Sequence, residues 1–98
     1  MAQFDVFRLR PEVWVIDCQA GLLDGISMRF VVPLSLSEHA PPIRSRLDPI
    51  FEIAGERRVM VTQFGGAVRL ADLAERISSL ASEEHRIRDA LDMLISGV

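Results

Sequence analysis

The feature that most limits what this chain can fold into is its last stretch, Ser82–Val98 (S-E-E-H-R-I-R-D-A-L-D-M-L-I-S-G-V). Ile87, Ala90, Leu91, Leu94, Ile95 and Val98 recur at helical period, so one apolar stripe runs to the final residue. The spacing predicts a helix with Ser82 as its N-cap and Glu83 and Glu84 in the first turn, where the helix dipole favours negative charge. Glu84–Arg88 and Arg88–Asp92 are opposite charges four residues apart on the polar side, and His85–Asp89 has the same spacing. Termini fray unless tied down. A stripe that reaches the last residue is therefore expected to be held by the fold, by a second copy or by a partner.

The rest of the chain reads as the surface such a helix needs. Gln3–Leu9 is rich in β formers, and Arg10-Pro11-Glu12 is a turn signal before a nearly continuous apolar strand, Val13–Asp17. Asp24-Gly25 is a tight-turn dipeptide leading into a third strand, Ile26–Leu34. Pro33 has no N–H to donate and is expected at an edge or a bulge. Ser35–Pro49, with Pro41, Pro42 and Pro49, is the least regular stretch and reads as a long excursion. Ile50–Ile53 and Arg57–Phe64 form a hairpin across Ala54-Gly55-Glu56, and Gly65-Gly66 turns into Val68–Leu70. Leu70, Leu73, Ala74 and Ile77 are helically spaced, which predicts a short helix over Ala71–Ser79. Five to seven short strands followed by a terminal helix indicate one mainly β domain, an antiparallel sheet or small barrel covered by a C-terminal α-helix.

Charge and cysteine content narrow the function classes. The 98 residues suffice for a single domain spanning 1–98 that buries roughly two-thirds of its unfolded surface. A net charge of −3 gives no electrostatic support for general binding to nucleic acid or to an anionic membrane. Cys18 is the only cysteine, so no internal disulfide can form, which suits a reducing compartment. The opening M-A-Q-F-D-V-F-R has no apolar signal core, and no apolar run approaches 18 residues. The expectation is a cytoplasmic, soluble protein.

Chemistry-bearing constellations are missing. His39 and His85 are far apart and neither is in ligand spacing with Cys18, whereas structural zinc wants four closely paired N/S ligands. Cys18 at the end of an apolar strand reads as a small buried hydrophobe. Gly65-Gly66 lacks the Lys and Ser/Thr of a phosphate loop. Arg57 and Arg58 read as solvated strand-edge charges facing opposite ways. The carboxylates are scattered singly, with no contrasted pair for acid/base work. Catalytic, cofactor and metal residues are therefore all expected to be none, and the residues alone point to a protein that acts by binding.

Five ordered segments carry a resemblance. Gln3–Phe7 (Q-F-D-V-F) resembles the opening strand of the CcdB family of toxins from toxin–antitoxin modules. Val15–Asp24 (V-I-D-C-Q-A-G-L-L-D) is similar to that family's V-D-V-Q-x-D-L/I-L/I segment, and Met28–Leu34 to its R-x-V-V/I-P-L strand. Leu47–Glu56 resembles its L-x-P-x-x-x-I-x-G hairpin. Ile87–Val98 matches its last helix, which also ends on a Gly and a β-branched residue.

The resemblance implies a homodimer of SH3-like antiparallel β-barrels, CcdB/MazF-like, each with a small extra sheet and a C-terminal helix. It implies a toxin rather than a catalyst: one that binds the A subunit of DNA gyrase, traps the cleaved DNA complex and is neutralised by a CcdA-like antitoxin. By matching position the gyrase-contacting residues fall on Gln3, Phe4, Phe7, Leu22, Leu23, Asp92, Ser96, Gly97 and Val98. Two copies of a short terminal patch beside a twofold axis would suit a twofold-symmetric target. Where the family's best-studied toxin has a Trp before the final Gly, this chain has Ser96, and Asp92 stands where the family can have Asn. One alternative is a decayed or retargeted homologue that dimerises and binds antitoxin without poisoning gyrase. A MazF-like endoribonuclease is another, opposed by the acidic charge and the lack of a base–acid–Arg set.

Overall fold

The computed structural model describes residues 2–11, 13–20, 25–40 and 43–97, with His39 by its backbone alone. Seven strands are described: β1 (Asp5–Arg10), β2 (Val13–Asp17), β3 (Met28–Leu36), β4 (Ile50–Ile53), β5 (Glu56–Met60), β6 (Gly66–Arg69) and β7 (Glu75–Ser79), followed by α1 (Glu84–Ser96). They form one antiparallel sheet in the order β4-β5-β3-β2-β1-β7, with β6 pairing β3 off that path. Folded around the helix, this is a half-barrel consistent with the SH3-like expectation.

The long strand β3 organises the sheet. One of its edges pairs with β2, from Trp14↔Leu34 to Asp17↔Val31. The other edge is shared, with β6 taking Met28–Val31 and β5 taking Leu34–Leu36. Pro33 falls between those two partners, in the middle of a central strand rather than at an edge or a bulge. Its carbonyl accepts a hydrogen bond from Val61 N–H at 3.0 Å on that outer side. The missing N–H lies where neither neighbouring strand asks for a ladder bond, so the usual penalty for proline does not arise.

Both faces of β1–β3 are apolar. Phe4, Val6, Trp14, Ile16, Cys18, Val32 and Leu34 line the helix-covered core, while Phe7, Val15 and Val31 pack on the opposite face with Leu9, Val13, Val68 and Leu73. This arrangement corrects the helix expected over Ala71–Ser79. The structure has a 3-10 turn at Leu70–Asp72 and then β7, paired to β1 from Asp5↔Ser79 to Arg8↔Glu75. In a helix Leu73 and Ile77 would share a face, but here Leu73 serves the second cluster and Ile77 the main core. The open edge of β1, with its obligatory backbone hydrogen bonds, outweighs the local periodicity.

Other boundaries move by similar logic. The strand expected over Arg57–Phe64 ends at Met60 and becomes a 3-10 turn at Thr62–Phe64. The β4–β5 hairpin closes on Ala54 (φ 52°) and Gly55 (φ 82°), two left-handed residues as a tight primed turn requires. Arg58 is buried rather than solvated. Its guanidinium stacks 3.8 Å from the Trp14 ring centroid and donates to Leu34 O at 2.8 Å and Glu56 Oε1 at 2.7 Å. Arg57 alone keeps the expected exposure.

Candidate interaction site at the helix tail

The helix begins one residue later than Ser82 capping would give. Ala81–Glu83 is a 3-10 turn, α1 opens at Glu84, and no side chain caps it. Ser79 Oγ instead accepts from Ala81 N–H at 3.2 Å. Glu84 does pair with Arg88, at 2.7 Å. Arg88 turns toward Glu84 and the Phe4 ring, 5.7 Å away, with no ion pair to Asp92 among the described residues. Asp89 pairs with Arg46 across the structure at 3.5 Å rather than with His85.

The first half of the helix is fastened to the barrel. Ile87 and Ala90 are fully buried and Leu91 packs on the same core. Arg86 donates to Ile50 O at 2.8 Å and lies 4.6 Å over the Phe51 ring. The second half is not fastened. Leu94 continues the line of Ile87 and Leu91 but is 44% exposed, and Ile95 is 81% exposed. The 13 residues of α1 span about 20 Å at helical rise, and the last turn and a half is exposed. This end is capped: Gly97 takes the left-handed conformation (φ 74°) and its N–H donates to Met93 O at 3.1 Å. Ser96 Oγ donates to Asp92 O at 2.8 Å.

The expected target-contact residues divide by location. Asp92, Ser96 and Gly97 are exposed together on the tail. Gln3 is partly exposed, with its Nε2 donating to Cys18 O at 3.2 Å. Phe4 and Phe7 are buried on opposite faces of the sheet, Phe4 with a left-handed backbone (φ 71°) held by bonds to Asp17 O and from Leu80 N–H. Their rings are thus packing residues that set the shape behind the site. Leu22, Leu23 and Val98 lie outside the described residues. Ile95 was missed, although its place in the terminal stripe was the signal that could have found it.

A buried polar clamp fixes both flanks of the β2–β3 connection. Arg29 donates to Asp17 Oδ2 through Nε at 3.0 Å and Nη2 at 2.6 Å, with both side chains shut from solvent. Gln19 N–H donates to Asp17 Oδ1, and Phe30 N–H donates to Gln19 Oε1. A pair so desolvated is costly to break, because either partner alone would be an uncompensated buried charge. Next to it, burial and then the Asp17 charge push the Cys18 thiol up to about 12. It is a packing residue, not a nucleophile.

The half-barrel carries a capped helix on whose tail Ile95 is the most exposed large apolar side chain among the described residues. A family model described as CcdB protein matches residues 3–97. The chain belongs to the CcdB family and is a toxin of a toxin–antitoxin module. The family implies action through antitoxin and gyrase partners rather than through catalysis, and no described helix is long and apolar enough to cross a membrane.

Proposed function

We propose that this toxin acts as a homodimer on the A subunit of DNA gyrase, traps the cleaved DNA complex, and is neutralised by a CcdA-like antitoxin. One observation supports the reading: the tail Asp92–Gly97 ends in a left-handed Gly97 cap, yet leaves Leu94 and Ile95 exposed. Covering a fully exposed large aliphatic side chain gains about 1.5–3 kcal/mol, most of it available at Ile95 (81% exposed) and about half at Leu94 (44% exposed) when a partner covers them. A second copy with its tail beside the first would present the pair as one patch. Gln3, Leu22, Leu23, Asp92, Ser96, Gly97 and Val98 are the proposed contacts. Purified protein added to gyrase and supercoiled DNA should convert DNA to the cleaved form when the reaction is denatured. Unimpeded supercoiling at a large excess of protein would reject the proposal.

Ser96 supports a second reading, retargeting. Its hydroxyl is engaged by Asp92 O, so the position offers a partner no aromatic anchor. Loss of such an anchor at a hot spot costs about 2–4 kcal/mol, roughly 30- to 1,000-fold in affinity. On this reading the dimer and antitoxin binding persist while gyrase poisoning is lost, and Ser96→Trp creates it. If Ser96→Trp leaves toxicity on expression unchanged, retargeting through this residue is ruled out.

A further inference from the structure

Asp92, Ile95 and Ser96 stand three and four residues apart on α1, so they are neighbours on one side of the tail. Asp92 is exposed, and its carboxylate has no ion pair or hydrogen bond among the described residues. Ser96 Oγ donates to its backbone O at 2.8 Å and leaves the carboxylate open. Arg88, one turn earlier, has the spacing to pair with it but takes Glu84 at 2.7 Å instead. Asp89, the acid on the same side, is matched with Arg46 at 3.5 Å. No basic residue lies in the last turn, where the negative end of the helix dipole favours a cation. The fold thus puts a negative charge near an end that disfavours one, and gives it no partner. Beside it stands Ile95, 81% exposed.

We propose that Asp92 is a specificity-determining residue of the tail, its carboxylate pairing with a basic side chain that the target sets beside the apolar residues covering Ile95. The inference rests on the tail being the face that meets gyrase, and adds the chemistry that this face selects. Charge complementarity carries it. Once a partner covers Ile95 and excludes water, an unpaired carboxylate next to it becomes costly unless the partner supplies a cation. A neutral or acidic surface of the same shape is rejected, so the discrimination works by repulsion as well as by attraction. An asparagine at this place would not distinguish the sign of the partner's charge. The net charge of −3 acts in the same direction at longer range, favouring encounter with a basic surface.

The test measures binding of the wild type, Asp92→Asn, Asp92→Glu and Glu52→Gln to purified gyrase A subunit by surface plasmon resonance at low and high salt. Glu52 is exposed on β4, so Glu52→Gln makes the same change of net charge outside the tail. Asp92→Asn should weaken binding at least about five-fold, slow association and flatten the salt dependence. Asp92→Glu, which keeps the charge, should retain most of the affinity, and Glu52→Gln should stay within about two-fold of wild type. The thermal midpoint of Asp92→Asn should not fall, because no bond within the chain is lost, which separates selection of the target from a role in folding. Equal or tighter binding by Asp92→Asn, an unchanged salt dependence, or an equal loss in Glu52→Gln would overturn the inference and leave the gyrase proposal standing. A wild type that fails to bind gyrase A would reject both.

Discussion

Ile87 and Leu94 lie on the same stripe of one helix, seven residues apart, yet one is wholly buried and the other 44% exposed. Their local sequence signals are equivalent. What separates them is packing: Ile87, Ala90 and Leu91 belong to the main core, and Leu94 does not. The two halves of α1 therefore have different tasks. The anchored half contributes to stability, and the other half presents exposed apolar surface.

The largest test of that division is Ile87→Ala. Deleting a fully buried aliphatic side chain should cost about 2–5 kcal/mol, read as a lowered urea midpoint. Leu94→Ala should cost less than about 1 kcal/mol, and equal losses at the two positions would break the comparison.

Beneath the anchored half, Cys18 allows a pH test of unusual clarity. The sequence contains no Tyr, and its 11 basic residues are all arginine. Between pH 9 and 12 Cys18 is thus the only side chain expected to titrate. Its folded pKa is raised to about 12 from an ordinary value of 9.0. A raised thiol pKa means that above pH 9 the unfolded chain has released a proton that the folded chain retains. Stability is therefore full below pH 9 and falls as pH rises toward 12, by up to about 1.4 kcal/mol per pH unit. Urea midpoints measured across this window should decline in the wild type and flatten in Cys18→Ala. A flat wild-type profile would mean the thiol is not sealed beneath the sheet.

A smaller effect belongs to Arg86, which ties the anchored half to β4. Arg86→Ala removes the bond to Ile50 O and the contact with Phe51 and should cost about 1 kcal/mol in thermal or urea unfolding. The same change at Arg88, whose partners are the exposed Glu84 and a more distant ring, should cost less than about 0.5 kcal/mol.

Much of this division was legible in the residues and part was not. Val13–Asp17 and Ile50–Ile53 were placed at their observed limits, because buried strands of β-branched and aromatic residues between turn signals have few other uses. The terminal helix was legible from its stripe, but the stripe says only which side is apolar and not which of its residues join the core. Leu73 and Ile77 misled because a sheet with two apolar faces consumes hydrophobic residues at spacings that mimic a helix. Arg58 misled because its burial depends on Trp14 and Leu34 O, 44 and 24 residues earlier in the chain. Of the candidate contacts, Asp92, Ser96 and Gly97 came from the family resemblance and are exposed in the structure, whereas the burial of Phe4 and Phe7 follows from the pairing of β1 with both β2 and β7.

The central claim is that the exposed half of α1 is there for a partner and not for the fold. The double variant Leu94→Ser, Ile95→Ser tests it most directly when stability and gyrase binding are measured on the same preparation. The account predicts a thermal midpoint within about 2–4 °C of wild type, as expected for a change below about 0.5–1 kcal/mol, together with binding weakened at least ten-fold, about 1.4 kcal/mol or more. Undiminished binding by the double variant, or a fall in midpoint matching that of Ile87→Ala, would contradict it.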